Sequence, residues 1–176
     1  ERILAASRRA GTVFMVAENT QYWPEVLTAK GLLDDGAIGG IVTARGSFAI
    51  PPVGVYYGGE RPWRFDNSVA GGGIAVDAAP HWIRPLRMWL GEVDAVVGAV
   101  GRPFAAMEGE SLVRALLRFR TGVTAALDGI MKEPPFVPEP MFRITGERGE
   151  ITVERPGRVV LWTAEHPDGT QVGDVG

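Results

Sequence analysis

The spacing of apolar positions changes several times along this chain, and each change marks a different element. Glu1 to Ala10 is rich in Ala, Leu and Arg, strong helix formers, and Gly11 supplies the stop. Thr12-Val13-Phe14-Met15-Val16-Ala17 is a short, continuously apolar run ending on Glu18-Asn19. A strand buried on both faces of a parallel sheet reads this way. From Tyr22 to Asp35 the period becomes helical: Trp23, Val26, Leu27 and Leu33, with Lys30 through its stem, fall on one face. Pro24 suits the first turn of that helix and Gly36 its C-cap.

Beyond Ile41 the period drops to two. Val42, Ala44, Gly46 and Phe48 alternate with Ile41, Thr43, Arg45 and Ser47, which predicts a strand. Pro51 to Asn67 has no period and is rich in Pro, Gly and aromatic residues, and a loop of that length is often functional. A helix starting near Pro80 carries Trp82, Ile83, Leu86, Met88, Trp89 and Leu90 and ends at Gly91. Pro85 inside it is expected to kink it and to free the carbonyl of His81. Alternation then returns: Val93, Ala95, Val97 and Ala99 predict one apolar face, and Val113, Ala115, Leu117 and Phe119 another, with Arg114, Arg118 and Arg120 opposite. Arg120-Thr121-Gly122, Glu147-Arg148-Gly149 and Pro156-Gly157 read as turns joining the later strands, the last leading into Val159 to Trp162. The sum is an α+β domain: a predominantly antiparallel open sheet with helices on one face.

Composition narrows the function classes. The chain is 45% hydrophobic and 22% charged, as globular proteins are. Its net charge of −3 comes with no basic stripe, so nucleic acid is not an expected partner. No apolar run approaches the roughly 20 residues that cross a bilayer, so no membrane partner is expected either. The absence of cysteine excludes disulfides and thiolate metal sites and makes the cytoplasm the expected location. At 176 residues the chain suits one domain, or one domain plus part of another. Its opening inside a helix without Met, and its uncapped close over Gly169 to Gly176, predict a segment of a longer protein.

The candidate chemistry centres on Gly71-Gly72-Gly73-Ile74-Ala75-Val76-Asp77-Ala78-Ala79-Pro80-His81. A carboxylate beside an imidazole can fix its tautomer and raise its basicity, as a general base requires. His81 would then take a proton from a substrate hydroxyl while Asp77 orients it. Equally, Asp77 could cap the helix and His81 be a satisfied, half-buried polar group. Two such ligands make no tetrahedral metal set, so no metal is expected, and His166 reads as part of an exposed turn. The glycine run lacks a preceding strand and a phosphate-binding lysine, and so reads as a turn or close approach. Trp63-Arg64-Phe65 sets a planar guanidinium between aromatics, which suits a phosphate, a carboxylate or a flat ring, or simply anchors a loop. Glu18-Asn19 ends a predicted parallel strand, where open α/β sheets bind ligands, a cofactor among them, or is simply a strand end followed by a helix cap.

In order along the chain, these features resemble the Gfo/Idh/MocA oxidoreductases. The resemblance rests on Val16-Ala17-Glu18-Asn19, on Ala29 to Gly39, on Trp63-Arg64, on Gly71-Gly72-Gly73 with Asp77 and His81, and on Ile144 to Ile151. It implies that residues 1–19 are the tail of a Rossmann dinucleotide-binding domain, whose glycine-rich loop and Glu-Lys-Pro lysine would precede Glu1. Residues 20–176 would be a substrate-binding and dimerisation domain, incomplete at its C-terminal end. It further implies NAD or NADP as cofactor, a sugar, cyclitol or related polyol as substrate, and a homo-oligomer formed through the open sheet. Asp77 and His81 match the family's catalytic acid and histidine, and Trp63-Arg64 a motif near cofactor and substrate, so Arg64, Asp77 and His81 become the expected substrate contacts. Arg84 stands where many relatives carry an acid. A non-catalytic domain of the same fold and an NAD-dependent glycosidase are the alternative functions.

Overall fold

The computed structural model describes residues 1–52, 62–154 and 157–173. Eight strands form one sheet in the order β2-β3-β4-β1-β5-β6-β7-β8. They are β1 (Ile41–Ile50), β2 (Val93–Gly101), β3 (Leu112–Phe119), β4 (Thr124–Met131), β5 (Phe142–Gly146), β6 (Gly149–Glu154), β7 (Arg158–Thr163) and β8 (Thr170–Gln171). Every pairing is antiparallel except that of β1 with β4. That parallel pair arises because β1 lies between β4 and β5 rather than beside β2, its neighbour in sequence. The helices are α1 (Arg2–Ala10), α2 (Pro24–Asp34), α3 (Asn67–Ala70), α4 (Ile74–Asp77) and α5 (Pro80–Leu90), with 3-10 turns at Thr20–Tyr22 and Trp63–Phe65.

The period-two pattern decides which face of the sheet is covered. Ala44 and Phe48 on β1, in register with Ala125 and Gly129 on β4, turn inward, as do Val113, Leu117, Ile144, Ile151 and Val153. The helices cover that face: α2 lies against β6 and β7, α4 against β3 and β4, and α5 against β1 and β4. Trp82 of α5 stacks on Phe48 with ring centroids 4.3 Å apart, and the Phe48 ring lies over Gly129, where a Cβ would stand 2.1 Å from its Cζ. Leu86 beside them is fully buried, which is worth about 2 kcal/mol of stabilisation. The opposite face carries Arg45, Arg114, Asp128 and Arg143 and has no helix over it among the described residues.

Most predicted elements are present. The Arg114 and Arg118 positions of β3 face out while Val113, Leu117 and Phe119 face in, and Gly122, at φ 89°, makes the predicted turn. The β5–β6 hairpin turns at Glu147-Arg148, and Pro24 opens α2. Residues 53–61 of the long loop and Pro156 of the last turn lie outside the described residues. The α5 helix continues through Pro85, which is buried within it.

Three expectations are corrected. Thr12 to Ala17 is no strand: it pairs with nothing among the described residues and is exposed throughout, Val13 at 96%. An apolar run becomes a buried strand only where a sheet receives it, and residues 12–17 pair with no strand of this one. Val93, Ala95, Val97 and Ala99 do not make a core face either. β2 is an edge strand exposed on both sides, with Val97 at 68%, because the helical layer stops at β3 and β4. Leu27 is exposed on α2, since Val26 and Ala29 occupy the contact with the sheet.

One backbone contact admits no side chain. A Cβ on Gly73 would stand 1.9 Å from the carbonyl oxygen of Glu110 and 2.5 Å from its nitrogen. Gly73→Ala is therefore expected to lower stability by about 3 kcal/mol, at the upper end for overpacking. Denaturant unfolding of the variant checks it, with Gly71→Ala at an open position of positive φ as a milder comparison.

Candidate active site

Three short helices carry the chain from the aromatic loop to the sheet. Asp66 caps α3 by accepting from the Ser68 amide at 3.0 Å, and Gly71, at φ 76°, ends it. The chain then presses against the 108–111 segment. Ile74 N–H donates to the Glu110 carbonyl at 2.9 Å, and Ala75 N–H to the Glu110 carboxylate at 3.0 Å. The glycine run is thus a close approach between backbones, and the first amides of α4 are already satisfied by Glu110.

Asp77 ends α4 and His81 is the second residue of α5, with buried Ala78 and Ala79 between them. This break sends the two side chains to different partners. Asp77 Oδ2 accepts from Arg64 Nε at 3.0 Å, and the Arg64 guanidinium lies 4.3 Å from the centre of the Trp63 ring. Phe65 anchors that turn, buried and edge-on to Phe104 at 5.6 Å. His81 instead places Nδ1 2.5 Å from Glu18 Oε2 and 3.2 Å from Thr20 Oγ1. The spacing-based expectation that Asp77 orients His81 is therefore corrected: the acid on the imidazole is Glu18, sixty-three residues upstream.

Glu18 is itself firmly held. Its Oε1 accepts the Thr20 amide at 2.6 Å, and Thr20 is buried. Burial by itself would raise the Glu18 carboxyl. The hydrogen bonds from Thr20 and the His81 ring outweigh it and hold the group below its ordinary value of 4.5. Gln21 extends the network, its amide donating to the Glu18 carbonyl at 3.4 Å and its Oε1 accepting from Arg84 Nε at 2.7 Å. Arg84 thus braces the Thr20–Tyr22 turn against α5.

The sequence-derived candidates therefore fall into two pairs, joined through the 77–81 stretch that carries Asp77 and His81. Arg64 with Asp77 is one, and Glu18 with His81 the other. Thr20 and Gln21 were missed, and only the fold could reveal them, because nothing in their spacing links them to His81. Asn19 and Trp63 are exposed. The His81 side chain is 44% exposed and Glu18 only 15%, so the ring is presented outward from a buried anchor. A cavity of about 710 Å³ lies elsewhere, between the helix-free face of the sheet and the 132–141 segment, lined by Arg45, Arg114, Asp128 and Glu139 among others. Among the described residues no three His, Asp or Glu side chains converge as a metal site would require, and no helix is long and apolar enough to cross a membrane.

Known proteins share this architecture. D-apiose dehydrogenase from Paraburkholderia graminis is 27% identical over 96% of this chain and 44% of its own length. Levoglucosan dehydrogenase from Pseudarthrobacter phenanthrenivorans is 38% identical over 48% of this chain and 21% of its own. The structure of a levoglucosan dehydrogenase in complex with NADH and levoglucosan superposes with a TM-score of 0.79 at 25% identity, over 93% of this chain and 47% of that one. The chain thus spans less than half the length of the curated relatives it matches. The family model described as the GFO/IDH/MocA C-terminal domain matches residues 26–152, and the chain belongs to that family.

Proposed function

We propose that the protein containing this chain is an NAD(P)-dependent oxidoreductase that transfers hydride from a sugar, cyclitol or related polyol. The observation that carries this reading is the half-exposed His81 imidazole, held through Nδ1 at the start of α5, with Nε2 making no hydrogen bond among the described residues. Relatives named for D-apiose and levoglucosan, and a neighbour bound to NADH, support the substrate and cofactor classes.

The proposed chemistry follows from which atoms are available. His81 Nε2 removes the proton of a substrate hydroxyl, and the nicotinamide, when bound, accepts the hydride from the same carbon. Asp77, fixed by Arg64, stands one turn away and can accept a hydrogen bond from a neighbouring hydroxyl. The residues of this chain fit only the nicotinamide end of the cofactor. Asn19 and the Trp63 ring are exposed and able to border it, whereas Glu18 is an anion already saturated by His81 and Thr20, unsuited to phosphate. Residues 1–19 would then be the tail of the dinucleotide-binding domain and residues 20–176 the substrate and dimerisation domain. The exposed apolar side chains of Val13 to Val16 support the first assignment, and those of Val97 and Leu116 on the helix-free face support a subunit contact. The same reading places the enzyme in the cytoplasm.

Turnover tests the central claim. In the full-length protein, nicotinamide reduction would be followed with D-apiose, levoglucosan and myo-inositol. His81→Ala should lower kcat by about 10²- to 10⁴-fold, the usual worth of a placed acid–base group. Turnover within a few-fold of the parent would refute the role.

The Glu18 anchor has a signature in pH. Its folded value is lowered, so the stabilisation it contributes is full above its ordinary 4.5 and is lost as pH falls through the folded value. The melting temperature of Glu18→Gln should therefore lie below that of the parent by a constant amount near neutrality. The two should converge as pH drops below 4.5. A gap that stays constant down to acid unfolding would contradict the assignment.

A further inference from the structure

We propose that Glu18 is the positioning residue of His81, accepting the Nδ1 proton and so fixing the tautomer that presents an unprotonated Nε2 outward. The inference deepens the reading above and rests on it for its consequence, because a base must offer a lone pair to the substrate. The role that sequence spacing assigns to Asp77 thereby passes to a residue on a different segment.

Three observations carry it. First, Nδ1 faces two oxygens, Glu18 Oε2 at 2.5 Å and Thr20 Oγ1 at 3.2 Å. A carboxylate can only accept, so an Nδ1 lone pair turned toward Glu18 would set like charge density against like at hydrogen-bond distance. Only the Nδ1–H form satisfies that contact, with Thr20 Oγ1 as a second acceptor. Second, Glu18 is not free to swing away: its other oxygen takes the Thr20 amide at 2.6 Å, and the Gln21 amide holds its carbonyl. Its lowered proton affinity keeps it the acceptor across neutral pH. Third, among the described residues no other group bonds to the ring. Asp77 and Arg64 are bound to one another, and Arg84, on the same helix, is held by Gln21 through Nε.

The arrangement also explains why the 18–21 segment and α5 are joined by polar contacts. The Thr20–Tyr22 turn lies directly against α5, so the ring's anchor moves with the helix that carries the ring. A histidine oriented from its own helix, by a residue four positions away, would have needed an unbroken helix through Pro80.

Long-range nitrogen–proton NMR of the imidazoles reads the tautomer directly. The full-length protein would be recorded in buffer alkaline enough to keep the rings neutral, with the His81 signals assigned by their disappearance in His81→Asn. The expected result is the Nδ1–H pattern in the parent, replaced in Glu18→Ala by a mixture of both tautomers, and retained in Asp77→Asn. An Nε2–H pattern in the parent overturns the proposal without any variant being needed. So does an unchanged pattern in Glu18→Ala, or its loss in Asp77→Asn. Full turnover by His81→Asn would refute the base role instead and leave the tautomer result to judge this inference separately.

Discussion

The seating of α5 on the centre of the sheet is the constraint from which the candidate site follows. Trp82 stacks on Phe48, Leu86 is fully buried beside it, and the flat approach is possible because Gly129 leaves room for the Phe48 ring on the parallel partner strand. Aromatic stacking and aliphatic burial together fix both the height and the rotation of the helix. With that rotation set, position 81 must leave the helix on the side away from the sheet, toward the Thr20–Tyr22 turn. The imidazole inherits its direction from apolar contacts that include none of its own atoms.

The polar residues then divide according to which rigid body carries them. Arg64 and Trp63 ride on a turn fixed by the Phe65–Phe104 contact, and they take Asp77. Glu18, Thr20 and Gln21 ride on the segment leading into α2, and they take His81 and Arg84. The two-residue turn at Ala78-Ala79 separates the two groups, because α4 ends at Asp77 and α5 begins at Pro80. An acid and a histidine that look like one dyad on paper become two neighbouring pairs, each with its own anchor. On the proposed reading, such a division would leave one side chain to handle a proton and the other to hold a hydroxyl, because neither spends its hydrogen bonds on the other.

Apolar surface tells a parallel story at the margins. Val13 to Val16 and both faces of β2 carry the composition of buried strands and are exposed. Their hydrophobicity predicted a buried strand and a core face, and within this sheet neither segment is covered. Burial is a property of what arrives against a segment, and a periodic pattern reports only that something should.

Apart from the run Thr12 to Ala17, the sequence by itself determined the element types, along with the inward face of the central strands, the turn glycines and the family resemblance. These are local matters: period, propensity and positive φ act within a few residues, and Val113 to Phe119 or Pro24 to Asp34 need no distant partner to be recognised. It also singled out His81, Asp77, Arg64 and Glu18 as candidate site residues. Tertiary structure alone decided how they are joined, along with the insertion of β1 between β4 and β5 and the exposure of β2. A hydrogen bond between residues 18 and 81 leaves no trace in spacing, because it depends on where two separately packed segments come to rest. The four-residue interval from Asp77 to His81 pointed to a pair only on the assumption of one unbroken helix, and the turn at Ala78-Ala79 with the fresh start at Pro80 removed that assumption.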